Sequence, residues 1–266
     1  MRDLAAQALL PVNATLGVAL LVLLLAAATT AAVFRLSPDG SHGRAREILV
    51  AGARAALQLG VVSLAIGWVI HHVVALFAFL LLMVTVAART AGRRITANGS
   101  WWWVALPIAG PVVPVVTCLA LAGLLPVRGI AMIPVTGILI GGALTATVLG
   151  GRRALDELHS RNGEYEAGLA LGLLARDARL EVIRPAASDA LLPGLDQTRT
   201  VGLVTLPGAF VGMLLGGASP VLAGAVQLFV LIALMAVQAI AVAATVELVA
   251  CGRLNRAGTE VIGGAA

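Results

Sequence analysis

The sequence predicts an all-α, polytopic integral membrane protein, and three features carry that expectation. Of 266 residues, 60% are hydrophobic and only 12% are charged, whereas soluble domains carry about 25% charged residues. The apolar residues fall into runs long enough to cross a bilayer, which takes about 20 mostly apolar residues per helix. The basic residues are all arginines, and most sit between the runs.

About seven transmembrane helices are expected, at residues 11–34, 50–70, 73–88, 101–125, 129–150, 200–217 and 220–250. The first run exceeds the roughly 7–15 apolar residues of a signal peptide and has no small-x-small site in a polar flank, so it reads as a retained helix. Arginine excess marks cytoplasmic connections. Arg35, Arg44 and Arg46 follow the first run, Arg89, Arg93 and Arg94 the third, Arg152 to Arg199 the fifth, and Arg253 and Arg256 the last. The opposite connections hold only Arg128, and Arg2 beside Asp3 is the one dissenter. The N-terminus is therefore expected outside and the C-terminus inside, with a long cytoplasmic segment at 151–199. The formal charge of +5 is read as orientation charge at a bilayer and not as a nucleic-acid footprint. Cys118 and Cys251 lie far apart, without metal-finger spacing, and imply neither a disulfide nor a zinc site.

Helices in lipid associate through small residues and polar contacts. Gly208, Gly212 and Gly216 share one helical face, and Gly137 and Gly141 repeat the spacing in the fifth run. These faces are expected to pack, either inside the bundle or against a second copy. Pro207 lacks a backbone donor and should kink or start a helix. Polar residues within the runs are costly and candidate pathway or tether groups. Arg54 and Gln58 are four apart, on one face of the second run; lining a pathway and reaching back to the surface both remain open. Gln227 and Gln238 are three turns apart on one face of the last run and could line a cavity. Glu247 is expected at the interface beside Arg253. His71 and His72 are adjacent and point apart on a helix, which does not favour a shared metal.

Enzyme chemistry is not expected. The chain has no lysine, so it lacks the GxxxxGK[ST] loop that reaches the outer phosphates of a nucleotide. No HExxH, no GxSxG and no carboxylate pair in an apolar site occurs, and Tyr165 has no adjacent base. No catalytic residue is assigned, the metal ligands are unknown, and no cofactor is expected on this chain. A gradient-driven carrier would be expected to hold ionisable groups near the midplane, and the runs are nearly bare of them. Energy from outside the membrane is favoured. A self-sufficient channel or a gradient-driven carrier for a small solute is the alternative.

Residues 164–185 read EYEAGLALGLLARDARLEVIRP. Glu166, Ala167 and Gly168, then Gly172, Val182 and Pro185, resemble the EAA loop of ABC-transporter permeases, with Gly168 and Arg184 departing from the usual residues. The charged Glu166, Arg176, Asp177 and Arg179 alternate with leucines, as in an amphipathic helix that buries one face in a partner groove. A helix lying on the membrane surface would carry the same pattern.

Further segments match in order. Residues 198–228, TRTVGLVTLPGAFVGMLLGGASPVLAGAVQL, resemble the TVGLVSLPGMMxG and PVxAxxxQ signature of the FetB-type iron-export permease family, which has relatives in plant aluminium tolerance. RAALQL from Arg54, IPVTGILIGGAL from Ile133 and RPAASDALLPGLDQTRTVGL from Arg184 are similar to further family segments. Gly142 and Ala143 stand where that family has an Asn-Ala pair. The resemblance implies one ABC-transporter permease domain over 1–266, in the inner or plasma membrane, that exports iron, another metal or a metal-linked solute. It implies a separate ATP-binding subunit, carrying ATP and Mg, docked on 164–185 through Glu166, Ala167, Gly168, Gly172, Arg176 and Pro185. Two permeases with two ATPases are the implied assembly. Motion is expected to pass through Asp189, Pro193 and Asp196, with Asp196 facing Arg199, into the run at 200–217.

Overall fold

The computed structural model describes residues 13–37, 43–126 and 129–255; the readings of Arg2, Arg128 and Arg256 lie outside them. The described chain is helical, and the backbone pairing recorded outside the helices joins Val201 to Thr205. It divides into two units, Met1–Trp68 and Val69–Ala266.

The first unit holds helix α1, Ala14–Val33, and nearly all of α2, Gly43–Val69. Asn13 caps α1, its side-chain oxygen accepting from the Leu16 N–H at 3.0 Å, so one orphan donor of the first turn is satisfied. Gly52 brings α2 close to α1: a Cβ there would stand 2.7 Å from a Leu24 methyl. Helix α2 begins before the apolar run expected at 50, because residues 43–49 hold helical form with Arg44 paired to Glu47 at 2.6 Å.

The second unit is built on two long helices, α5 (Gly129–Ser160) and α10 (Pro220–Ala250), packed along one another. Helix α3 (Val73–Ile95) lies on α5, and α4 (Ala105–Leu121), entered through a 3₁₀ turn at Gly99–Val104, contacts both. Absent side chains let these helices meet. At Gly142 a Cβ would overlap Leu234, and at Gly151 it would stand 3.0 Å from Ile95. That is the small-residue contact by which helices associate in lipid, where burial of apolar area gives no drive. Helix α3 runs seven residues past the expected end at 88, and Arg152 Nε donates to the Arg94 carbonyl at 3.0 Å, satisfying a group of its last turn. The chain then forms α6 (Asn162–Ala170), α7 (Ala175–Ser188), a 3₁₀ turn at Asp189–Leu191, α8 (Leu192–Thr200) and α9 (Gly208–Leu215).

Among the described residues six helices have the length and apolarity of a membrane span, at Ala14–Val33, Gly43–Val69, Val73–Ile95, Gly99–Leu121, Ala131–Ser160 and Pro220–Ala250. The protein is thus a multi-pass, all-α membrane protein. The stretch 200–217 is not a seventh continuous helix, which corrects the sequence expectation. Its backbone turns at Val201–Thr205, with Gly202 at φ 85° and its N–H donating to the Thr205 carbonyl at 2.8 Å. Pro207 then stands at the N-cap and opens α9, an eight-residue helix. Glycine supplies a backbone angle that other residues resist, and proline cannot continue the helical hydrogen bonds.

Candidate functional site

The residues expected to couple to a partner lie on the segment between α5 and α9. Helix α6 ends in a glycine cap. Gly172 has φ 89°, its N–H donates to the Leu169 carbonyl at 2.9 Å, and Leu173 N–H donates to the Gly168 carbonyl at 3.0 Å. That paired pattern closes a helix and reverses the chain. The segment expected as one short coupling helix is therefore two helices joined by a tight turn. Gly168 is buried in the joint: a Cβ there would stand 3.1 Å from that of Ala178 on α7. Helix α7 buries Ala178, Leu180, Val182, Ile183 and Ala187 and packs against α5, α10 and α6. The turn itself presents leucines outward, Leu171 at 85% and Leu174 at 73% exposure.

Two arginines one turn apart fasten α7 to the end of α10. Arg176 Nε donates to Glu247 Oε1 at 2.5 Å and its Nη2 to Oε2 at 2.8 Å, while Nη1 reaches Asp177 at 2.9 Å. Arg179 Nη1 donates to the Ala250 carbonyl at 2.9 Å, satisfying one of the carbonyls left open at the helix end. Its guanidinium lies 5.4 Å from the ring centre of Tyr165 on α6, within cation–π range. Glu247 thus pairs with Arg176, and Arg253, its expected neighbour, lies 4.9 Å over the Trp103 ring. Sequence reasoning assigned Arg176 outward, to a partner; its spacing gave no sign of a mate 71 positions away.

The other members of the set are placed as follows. Glu166 is exposed and accepts from Asn162 Nδ2 at 2.7 Å; Ala167 is exposed beside it. Pro185 and Asp189 are exposed. Arg161 donates to both oxygens of Glu164, from Nε at 2.6 Å and from Nη2, and to Glu157 at 3.1 Å. The hydrogen bonds from Arg161 hold the Glu164 carboxyl below the usual carboxylate range. Asp196 and Arg199 stand 3.4 Å apart, both exposed. Arg54 and Gln58 lie exposed on α2, in the first unit. Gly137 meets the Met83 methyl at 3.0 Å, but Gly141, Gly208 and Gly212 face open space, and Gly216 meets only α9's own carbonyls.

Helix α10 carries two buried amides. Gln238 fills the gap left by two glycines: a Cβ at Gly194 of α8 would overlap its Oε1, and one at Gly142 of α5 would stand 3.4 Å from its Nε2. Gln227 is 6% exposed, and its Oε1 has no hydrogen-bond partner among the described residues. No group of three or more His, Cys, Asp or Glu side chains is placed to hold a metal among the described residues.

A family model described as "Uncharacterised protein family (UPF0014)" matches residues 15–252. The UPF0014 membrane protein STAR2 of Oryza sativa subsp. japonica is 35% identical over 214 residues, 79% of this chain and 75% of that one. Protein ALUMINUM SENSITIVE 3 of Arabidopsis thaliana is 34% identical over 188 residues, 70% of this chain and 69% of that one. The probable iron export permease protein FetB of Escherichia coli (strain K12) is 32% identical over 112 residues, 42% of this chain and 43% of that one. The likeness to FetB thus covers less than half of either chain, and the likeness over most of the chain is to the broader family. No solved structure matches the chain.

Proposed function

The chain belongs to the UPF0014 family of membrane proteins, and from that premise we propose that it is the membrane-spanning subunit of an ABC transporter, driven by a separate ATP-binding subunit. The observation that carries the reading is the leucine-tipped turn between α6 and α7. It lies between the span-length helices α5 and α10, in the arginine-rich segment that the charge rule puts on the cytoplasmic side. Large apolar side chains exposed outside the spans mark a protein contact, and here they sit on a mount tied to α10 by Arg176 and Arg179.

A push on Leu171 and Leu174 would be delivered to α10 through those two arginines and to α8 through the chain. Two copies of this chain with two ATPases form the proposed complex, in the inner or plasma membrane. The cargo is iron, another metal or a metal-linked solute, a proposal resting on the names of FetB and the aluminium-sensitivity relative. The test is co-purification with the ATP-binding subunit encoded nearest to this chain. Wild-type chain retains it, and Leu171→Asp with Leu174→Asp releases it while the chain stays folded. Retention by the double variant, or transport by the purified chain alone, would overturn the reading.

A further inference from the structure

The ends of α3 and α10 and the start of α4 meet in one basic corner. Helix α10 closes in a glycine cap: Gly252 has φ 71°, and the Arg253 N–H donates to the Leu248 carbonyl at 2.9 Å. Two anchors hold the chain beyond the cap. Leu254 is buried, and the Asn255 carbonyl accepts from Thr96 Oγ1 at 2.8 Å and from Asn98 Nδ2 at 3.2 Å. Between cap and anchors the exposed Arg253 lies 4.9 Å over the Trp103 ring, which stacks on Trp102 at 4.1 Å. Residues 89–104 and 250–255 hold four arginines, Arg89, Arg93, Arg94 and Arg253, and no acidic residue. Among the described residues none of the four is paired with a carboxylate.

From the same tryptophans an open groove of about 580 Å³ follows α4, with Trp102 and Trp103 at one end, Val113 and Pro114 at the other, and the small Ala109 and Gly110 between. From Ala105 to Pro114 a helix rises about 14 Å at 1.5 Å per residue, and one leaflet of hydrocarbon is about 15 Å deep, half of a typical bilayer core. We propose that this corner binds an anionic phospholipid, its phosphate on Arg253 at the head of the groove and one acyl chain along α4. The groove lies on a helix of span length, so hydrocarbon and not water adjoins it. Tryptophan rings sit at headgroup level in membrane proteins, which puts Arg253, lying over one, at the depth of lipid phosphate. The guanidinium fork matches phosphate oxygens in pairs, and basic pockets at the ends of spanning helices take anionic headgroups. Uncompensated charge selects an anionic lipid over a zwitterionic one, and the apolar groove selects a lipid over a soluble anion. The site belongs to this chain alone, so it stands or falls separately from the transport reading.

The test uses the full chain in phosphatidylcholine nanodiscs, with Trp68→Phe so that the remaining tryptophans, Trp101, Trp102 and Trp103, all belong to the corner. Phosphatidylglycerol brominated near the carbonyl end of its chains is added as a minor component and compared with phosphatidylcholine brominated at the same place, by quenching of tryptophan fluorescence. The anionic lipid is expected to quench at about five-fold lower mole fraction, the selectivity that one arginine supplies near a membrane surface. Arg253→Gln abolishes the preference, Arg253→Lys keeps part of it, and Arg46→Gln, which removes a charge from the first unit, leaves it unchanged. Gly110→Leu fills the groove and cuts the quenching by brominated phosphatidylglycerol; a Cβ there meets a Leu106 methyl at 3.8 Å, an ordinary contact, so the substitution is accommodated. Inorganic phosphate in the buffer leaves the quenching in place. Equal quenching by the two lipids in wild type, a preference kept by Arg253→Gln or lost equally in Arg46→Gln, undiminished quenching in Gly110→Leu, or displacement by inorganic phosphate would each overturn the proposal.

Discussion

Arg176 and Glu247, 71 positions apart, form a two-pronged ion pair that joins the mount of the leucine turn to the end of the last long helix, with N···O distances of 2.5 and 2.8 Å. Both side chains are about half exposed, so solvent screening leaves the pair little weight in overall stability. In the proposed coupling, its geometry would set the direction in which the turn pushes. Arg176→Gln is expected to leave the thermal midpoint nearly unchanged and to lower ATPase-coupled transport at least about five-fold, the lower end of ordinary coupling energies. The charge-exchanged double variant, Arg176→Glu with Glu247→Arg, restores part of the loss. Unchanged transport in Arg176→Gln would remove the pair from the coupling path.

The contact between Gly194 and Gln238 makes the opposite prediction, a loss of stability. A methyl group at 194 has no room, because a Cβ would overlap Gln238 Oε1. Gly194→Ala therefore drives the end of the Gln238 side chain out of its seat against α8, at a cost of about 1 kcal/mol, the low end of overpacking because that end can turn aside. Thermal unfolding in detergent should show the drop, and shortening the obstructing side chain by Gln238→Ala in the same protein should recover most of it. If the double variant is no more stable than Gly194→Ala, the clash is not the cause.

The sequence carried the membrane class well because lipid demands long apolar helices, and those runs are visible without tertiary information. Their ends were less visible. Arg89, Arg93 and Arg94 continue α3 because an arginine keeps helical form and Arg152 caps the end from another helix. The break at 201–207 was present in the text as Gly202 and Pro207, yet hydropathy counts both as compatible with a span. The spacing from Glu166 to Gly172 and Pro185 marked a candidate segment, and the positive φ at Gly172 supplies a physical reason for the glycine there. What spacing could not give was the partner of Arg176, which lies 71 positions away on another helix, or the burial of the Gln227 oxygen without a hydrogen-bond partner among the described residues.

Acid titrates the joint before α6. Arg161 holds the Glu164 carboxyl below the usual range by hydrogen bonding, so the folded state binds that proton less readily than the unfolded chain does. The stabilisation is fully present above the ordinary carboxylate range and is lost as pH falls through the lowered folded value. Glu164→Gln removes the titrating group, so wild type should hold a small constant advantage in thermal midpoint at neutral pH that shrinks once pH falls below the ordinary carboxylate range and is gone below the lowered folded value. An advantage of equal size at both ends of the range would mean the pair does not titrate as described.

Gly172 separates a backbone role from a contact role. Its φ of 89° lies where side chains are strained, and nothing stands within 4 Å of a Cβ at that position. The cost of substitution there is conformational and should follow tolerance of left-handed angles: Asn mildest, Ala worse by about 1 kcal/mol, Val worst. Thermal midpoints and retention of the proposed ATP-binding subunit should fall together in that order, because losing the turn scatters the leucines proposed to dock it. If glycine instead served as a flat surface against the partner, Asn would obstruct docking more than the smaller Ala does, while stability kept its own order. Measuring both quantities on the three variants decides between the two roles, and the hydrogen bonds from Gly172 to Leu169 and from Leu173 to Gly168 favour the backbone role.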